Sequence, residues 1–319
     1  MADRAPVIEV SALRKVFGAT VAVDALTFHV DRGEMFGVIG PDGAGKTTAL
    51  RLICGLLRPD GGAVRVLGAE PFKTHKVATA SIGYLSQRFS LYGDLSIDEN
   101  VEFFARIHGV RDFSGRRSRL LALTGLERFR TRLADRLSGG MRQKLALACT
   151  LVHEPPILVL DEPTTGVDPV SRREFWKLLA EFVTSGLTIV MATPYLDEAE
   201  RCGRIALLDA GKLLAEDEPQ RLQAAMTGVI LEIVASPARR ALAVVRDRVG
   251  AERVQLFGDR LHVRVAAAAE ADDLSRLLEH EGMKPASVRA VTPTLEDVFI
   301  ERVARTPPGS TPQDKGHPL

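Results

Sequence analysis

Nine residues, GPDGAGKTT, running from Gly40 to Thr48, constrain this chain more than any other stretch. They match G-x-x-x-x-G-K-[ST] and lie where a strand-like run, MFGVIG, gives way to an amphipathic stretch, KTTALRLICGLL. In that context Gly40, Pro41, Asp42, Gly43, Ala44 and Gly45 form a loop whose backbone N–H groups can curl around a phosphate. The N-terminus of the following helix adds positive partial charge, Lys46 can reach terminal phosphate oxygens, and the Thr47 hydroxyl, beside Thr48, can ligate Mg²⁺. The bland alternative is a glycine-rich turn with an exposed lysine.

A strand feeding a helix through such a loop belongs to an α/β fold, and the surrounding pattern agrees. From residue 7 to about 222, short aliphatic runs alternate with longer amphipathic stretches. Predicted strands are VIEV at 7, MFGVIG ending at Gly40, SIGYLSQ ending at Gln87, PILVLDEP around Leu158, and LTIVMAT ending at Thr193. Predicted helices include KTTALRLICGLL, with Leu50, Ile53 and Leu56 on one stripe, DENVEFFARIHG, and the stretches 139–153 and 170–185.

Beyond AEDEPQRLQAA the texture changes. Strand-like 229–235, helical 237–249, paired strands 253–257 and 260–266, helical 270–281, extended 287–291 and helical 294–304 make a β-α-β-β-α-β order, that of a small ferredoxin-like unit. The reading is therefore a domain over 1–225, a small α+β domain over 226–304, and a Pro/Gly/Ser-rich, disordered tail over 305–319.

Bulk composition narrows the function classes. With 45% hydrophobic and 26% charged residues, no run approaches the roughly 18 uncharged residues of a membrane-spanning helix. The N-terminal MADRAPVIEV has no apolar core behind a basic start, so a cytoplasmic protein is expected. A net charge of +1 argues against a nucleic-acid partner. Cys54, Cys149 and Cys202 form no C-x-x-C pair and read as small buried hydrophobes, and the seven histidines suggest no transition-metal cage.

Two further tracts carry chemistry. PPILVLDEPTTGVD at 155–168 is an apolar strand ending in Asp161 and Glu162; the arrangement suits Asp161 holding Mg²⁺ through water while Glu162 polarises an attacking water as general base. LSGGMRQK at 137–144 places Ser138, Gly139 and Gly140 before a helix, a second anion cradle that a single-site nucleotide triphosphatase would not need. A nucleotide sandwiched between two subunits would need it.

With these three tracts in order, residues 7 to about 222 resemble the nucleotide-binding subunit of ABC transporters. The resemblance implies an α/β P-loop NTPase fold, with a RecA-like core, a helical subdomain and an antiparallel β part, and it implies ATP and Mg²⁺ as ligands. Phe17 falls where the family stacks an aromatic on adenine, against the alternative of a core phenylalanine. Gln87 falls where the family's glutamine senses Mg²⁺ and water; its bland reading is a polar strand-end residue. Ser138, Gly139 and Gly140 would reach the partner's ATP, and Gly166, Val167 and Asp168 match the loop that crosses the dimer interface. RFSLYGDLSIDEN resembles the stretch that docks the permease's coupling helix. VTPTLEDVFIERV at 291–303 and DPVSRREFW at 168–176 are similar to ATPases of ABC-2-type exporters, drug-resistance subunits among them. The implied partners are a second ATPase subunit and an ABC-2-type membrane permease, with the chain peripheral on the inner face of the cell membrane.

Two positions depart from the family pattern. Asp42 puts an acid in a loop that usually carries a neutral residue, and is expected to point outward or pair locally. Pro194, in MATPYLDEAE, occupies the place of the switch histidine that contacts the γ-phosphate, and proline has neither a polar side chain nor an N–H. The expectation is a site that binds MgATP and hydrolyses it slowly, paired in a heterodimer with a catalytically complete partner rather than in a homodimer with two weakened sites; the bland alternative is normal turnover with Tyr195 or a water substituting. A soluble ATP-gated clamp on ribosomes or DNA is the competing class, although its second cassette, long coiled-coil insertion and basic surface are not visible. A kinase is disfavoured by LSGGMRQK. For the C-terminal unit an interface role is preferred over regulatory ligand binding.

Overall fold

Aliphatic runs that are apolar on both faces can be satisfied only inside a covered parallel sheet, and the longest of them form one. The computed structural model describes residues 6–74, 79–88 and 91–305. The chain divides into two compact units, Met1–Glu216 and Asp217–Leu319.

In the first unit, strands β1 (Pro6–Phe17), β2 (Thr20–Asp31) and β4 (Gly61–Val66) make an antiparallel sheet of order β2-β1-β4. The second sheet, of order β5-β6-β7-β3-β8-β9, contains β3 (Met35–Ile39), β5 (Ile82–Leu85), β6 (Ile157–Asp161), β7 (Thr188–Thr193), β8 (Arg204–Asp209) and β9 (Lys212–Asp217). The pairs β5–β6, β6–β7, β7–β3 and β3–β8 are parallel. Every residue of β3, β6 and β7 is buried, which is why these segments carry no polar alternation. Helix α1 (Lys46–Ile53) supplies Ala49, Leu50 and Ile53 to a core shared with Ile8 and Leu13 of β1 and Val38 of β3. Phe28 of β2 stacks on Phe36 of β3 with ring centroids 5.3 Å apart, joining the two sheets.

A helical layer follows: α2 (Ile97–Ile107), α3 (Ser114–Leu123) and α4 (Gly139–Leu151), with α5 (Pro169–Thr184) and the short α6 (Leu196–Ala199) later in the chain. Helix α2 starts from a capping box in which Ser96 and Glu99 satisfy each other's backbone N–H groups. Fully buried Asn100 bonds the backbone of Tyr92, Leu95 and Ser96, tying down the loop before α2.

Two sequence expectations need correction here. The stripe Leu50–Ile53–Leu56 breaks, because α1 stops at Ile53, Gly55 takes φ +70°, and Leu56 is exposed. The strand expected to reach Gln87 ends at Leu85, where its parallel register with β6 runs out at Leu160; Gln87 stands in the turn beyond. The expected permease-docking stretch is described except for residues 89–90, and of the expected tail 306–319 lie outside the described residues.

The second unit begins with α7 (Pro219–Ala224) and continues β10 (Val229–Val234), α8 (Ala238–Val249), β11 (Val254–Phe257), β12 (Arg260–Val265), α9 (Glu270–His280), β13 (Ser287–Val291) and α10 (Leu295–Arg305). Its sheet is antiparallel, of order β11-β12-β10-β13. Leu231, Ile233, Leu261 and Val263 face Ala241 and Val245 of α8 and Leu274 and Leu278 of α9 in one core. On α10, nearly buried Asp297 and Glu301 pair with His262 and Arg264 of β12. Those contacts were not foreseen from the sequence, which showed no pocket-forming polar cluster in this region.

Candidate functional site

Five of the residues singled out from the sequence come together at the carboxyl ends of β3, β5 and β6, where ligands gather in open α/β sheets. The loop between β3 and α1 is shaped by packing. A Cβ on Gly40 would stand 2.2 Å from the Leu208 carbonyl oxygen of β8, and one on Gly45, at φ +96°, 2.3 Å from that of Ala22 in β2. Only glycine allows the loop to seat so closely against both sheets. Because α1 begins at Lys46, the N–H groups of its first turn have no intrahelical partners and face whatever the loop encloses.

Lys46 is 4% exposed, and its Nζ donates to the carbonyl oxygens of Gly40 (2.9 Å) and Pro41 (3.0 Å). It lies 3.5 Å from Glu162 Oε1 and 3.9 Å from Asp42 Oδ1. Asp42 itself is 94% exposed, so it points outward as expected and touches the lysine only loosely. The Thr47 hydroxyl donates to Asp161 Oδ1 at 2.9 Å. Burial raises the Asp161 carboxyl above the usual range; bonds from Thr47 and Tyr84 oppose this, and neighbouring Glu162 adds to it. A hydroxyl and a carboxylate meeting beside a cradle of N–H groups and a buried lysine form a donor set that fits a triphosphate with its magnesium ion.

Glu162 is aimed by its backbone. Its φ of +50° is unusual for a non-glycine residue, a strain of order 1–3 kcal/mol, and its N–H is pinned to the Ala192 carbonyl at 2.9 Å. Gln87 Nε2 donates to its Oε2 at 3.0 Å, and the Thr165 hydroxyl at 3.4 Å. Pro194 follows directly on Thr193, which pairs in register with Ile39 and so ends β7 beside the phosphate-loop strand. The proline is half-buried, and the Tyr195 N–H bridges past it to the Thr193 hydroxyl at 3.1 Å.

Other expected site residues stand apart from this group within the single chain. Phe17, at the end of β1, is 48% exposed with Lys15 Nζ 5.4 Å from its ring centroid, which removes the core-phenylalanine alternative. Ser138 caps α4, accepting from the Met141 N–H at 3.3 Å, and both Ser138 and Gly139 are exposed. Gly140 is buried against α5, where a Cβ would meet Ser171 Oγ at 2.2 Å. Asp168 caps α5 through Val170 and Ser171, and the bonds from Ser171 hold its carboxyl below the usual range. Gly166, at φ +75°, is exposed.

Sequence reasoning missed Tyr84, whose hydroxyl donates to Asp161 Oδ2 at 3.2 Å, and Thr165. A tyrosine inside an otherwise apolar strand needs a partner for its hydroxyl, and that signal was available three residues before Gln87.

Comparison with known proteins places the chain in a family. A model of the ABC transporter family matches residues 23–165. The chain is 39% identical over 302 residues to the probable multidrug ABC transporter ATP-binding protein YbhF of Escherichia coli, covering 92% of this chain and 52% of that protein. It thus spans about half the length of that relative. It is 37% identical over 311 residues to the daunorubicin resistance ATP-binding protein DrrA3 of Streptomyces coeruleorubidus, covering 94% of this chain and 96% of that one. Among solved structures, the dimeric ATP-binding cassette MJ0796, in a post-hydrolysis state bound to ADP and Pi, superposes with a TM-score of 0.59 at 28% identity. That match covers 66% of this chain and 98% of the other.

Proposed function

Since the chain belongs to the ABC transporter family and has the P-loop NTPase fold of its ATP-binding cassettes, we propose that it is the MgATP-binding and hydrolysing subunit of an ABC-2-type exporter. The observation that carries this reading is the convergence of Lys46, Thr47, Gln87, Asp161 and Glu162 at one strand-end site. Relatives named for multidrug transport and daunorubicin resistance support export, and speak against a soluble clamp on ribosomes or DNA. In this reading translocation falls to a separate permease, with this chain docked on its cytoplasmic side; no helix among the described residues is long and apolar enough to cross a membrane.

In the mechanism, the loop N–H groups and Lys46 bind the phosphates, and Phe17 stacks on the adenine from its exposed position at the end of β1. Thr47, Asp161 and Gln87 would hold a magnesium ion, which would offset the charge on the terminal phosphates. Glu162, held by Gln87, Thr165 and its own fixed backbone, takes the proton of the attacking water. Ser138, Gly139 and Gly140 complete the opposite site on a partner subunit, and the loop 166–168 crosses between the two.

Pro194 withdraws one hydrogen-bond donor from the γ-phosphate position, and loss of one such donor costs about 10²–10³ in rate. The binding groups are intact, so the site retains nucleotide and turns over slowly. That favours pairing with a second, complete cassette. The test is steady-state MgATP hydrolysis by the chain and by Pro194→His, with nucleotide binding measured in both. A histidine variant that turns over while the parent binds and stays nearly silent supports a slow regulatory site; equal rates reject it.

A further inference from the structure

One buried carboxylate lies behind the site and takes no part in the mechanism above. Glu198, on α6, is 1% exposed and joins two segments that the chain separates by nearly thirty residues. Its Oε1 accepts from the Thr164 hydroxyl and, at 3.4 Å, from the Trp176 indole N–H of α5, with Arg172 Nε 3.6 Å away. Its Oε2 accepts from the Thr193 hydroxyl at 2.7 Å. The Thr193 oxygen in turn accepts the Tyr195 N–H that spans Pro194. Thr164 and Thr193 are buried at 1% and 0% exposure, so neither hydroxyl has water as a substitute partner. The Arg172 guanidinium also lies 4.8 Å from the Tyr195 ring centroid.

Thr164 stands two residues beyond Glu162 and two before Gly166; Thr193 stands immediately before Pro194. Three residues therefore form one hydrogen-bonded unit, with a hydroxyl from each loop on either oxygen of the same carboxylate. A displacement of segment 164–168 can be absorbed only by breaking a buried bond or by carrying residues 193–195 with it.

We propose that Glu198 is a positioning residue that makes the loop carrying Pro194 follow the loop 164–168. This rests on the ATPase reading for its kinetic consequence, since 166–168 is the segment assigned there to the partner interface. It does not rest on that reading for the tie itself. Docking of a partner on 166–168 is then transmitted to the γ-phosphate side of the same chain through Thr164, Glu198 and Thr193, and the transmission does not need a histidine at 194.

The test uses the full chain with Thr164→Val, Thr193→Val, the double variant, Glu198→Gln, and Thr164→Ser and Thr193→Ser as hydroxyl-retaining controls. Amide hydrogen exchange is followed by mass spectrometry without nucleotide. Thr164→Val is expected to speed exchange in the peptide covering 193–199, the serine controls to leave it slow, and Glu198→Gln to speed it from both sides. In hydrolysis, measured in the Pro194→His background where turnover is fast enough to follow, each valine variant is expected to lower kcat by about 10- to 100-fold with KM within about twofold, and the double variant to be no worse than the poorer single one. Exchange changes that stay within 162–168 in Thr164→Val, or valine losses that multiply in the double variant, overturn the proposal. A chain that binds no MgATP overturns the functional reading, while the exchange result still decides whether the tie exists.

Discussion

At the scale of single residues, Glu162 and Pro194 set the expected chemistry in opposite directions. The strained backbone of Glu162 and its bonds from Gln87 and Thr165 hold the proposed general base in place, while Pro194 offers no donor to the phosphate it is proposed to face. Pro194→His should therefore raise the hydrolysis rate by about 10²-fold with little change in nucleotide affinity. Phe17→Ala should act the other way, weakening nucleotide binding by roughly tenfold or more, the loss of one aromatic stacking on a base, while kcat at saturation holds; titration with a fluorescent ATP analogue checks it. Gly45→Ala should abolish binding, because a Cβ at φ +96° would stand 2.3 Å from the Ala22 carbonyl and drive the phosphate loop off its seat. Most of these residues were legible from motif and spacing. What could not be read was how they bond: the Tyr84 hydroxyl on Asp161 and the Gln87 amide on Glu162 join residues 77 and 75 positions apart.

At the scale of elements, the apolar runs announced β3, β6 and β7 because a strand covered on both faces has to be apolar throughout. Element ends were less legible. Helix α1 stops at Ile53 because Gly55 turns away at φ +70° against Pro71, a contact across the fold that local periodicity does not report. The helical layer also contains a pH-sensitive pair. His153, just after α4, stacks on His108, just after α2, with ring centroids 3.8 Å apart. Burial first, and the neighbouring His108 second, lower the His153 pKa from 6.5 to about 4. An unfolded chain takes up that proton near 6.5 and the folded one resists until about 4, so stability present above 6.5 is lost as pH falls toward 4. His153→Phe, which keeps a ring on His108, should flatten the melting-temperature decline across that window. Gly140→Ala should destabilise the contact of α4 with α5 by about 1–3 kcal/mol, since its Cβ would stand 2.2 Å from Ser171 Oγ; thermal unfolding measures it.

At the scale of the whole molecule, the exposed Ser138–Gly139 turn is proposed to serve a nucleotide held by another subunit. Glu162→Gln, which removes the proposed base, should accumulate MgATP-dependent dimers when mixed with a complete cassette, read by light scattering against the same mixture without nucleotide. What the sequence determined unaided was the α/β class and the place of the glycine-rich loop and of the strand-end carboxylates, because loop chemistry and strand burial are local requirements written in consecutive positions. Tertiary structure decided which of those residues meet. The register that sets Asp161 beside Ala192 and Ile39 beside Thr193 brings Lys46, Gln87 and Glu162 to one place, and the fold around α6 gathers Thr164, Trp176, Thr193 and Arg172 around Glu198. Those contacts depend on strand order and on donors and acceptors far apart in the chain, and strand order is chosen by the packing of the whole sheet.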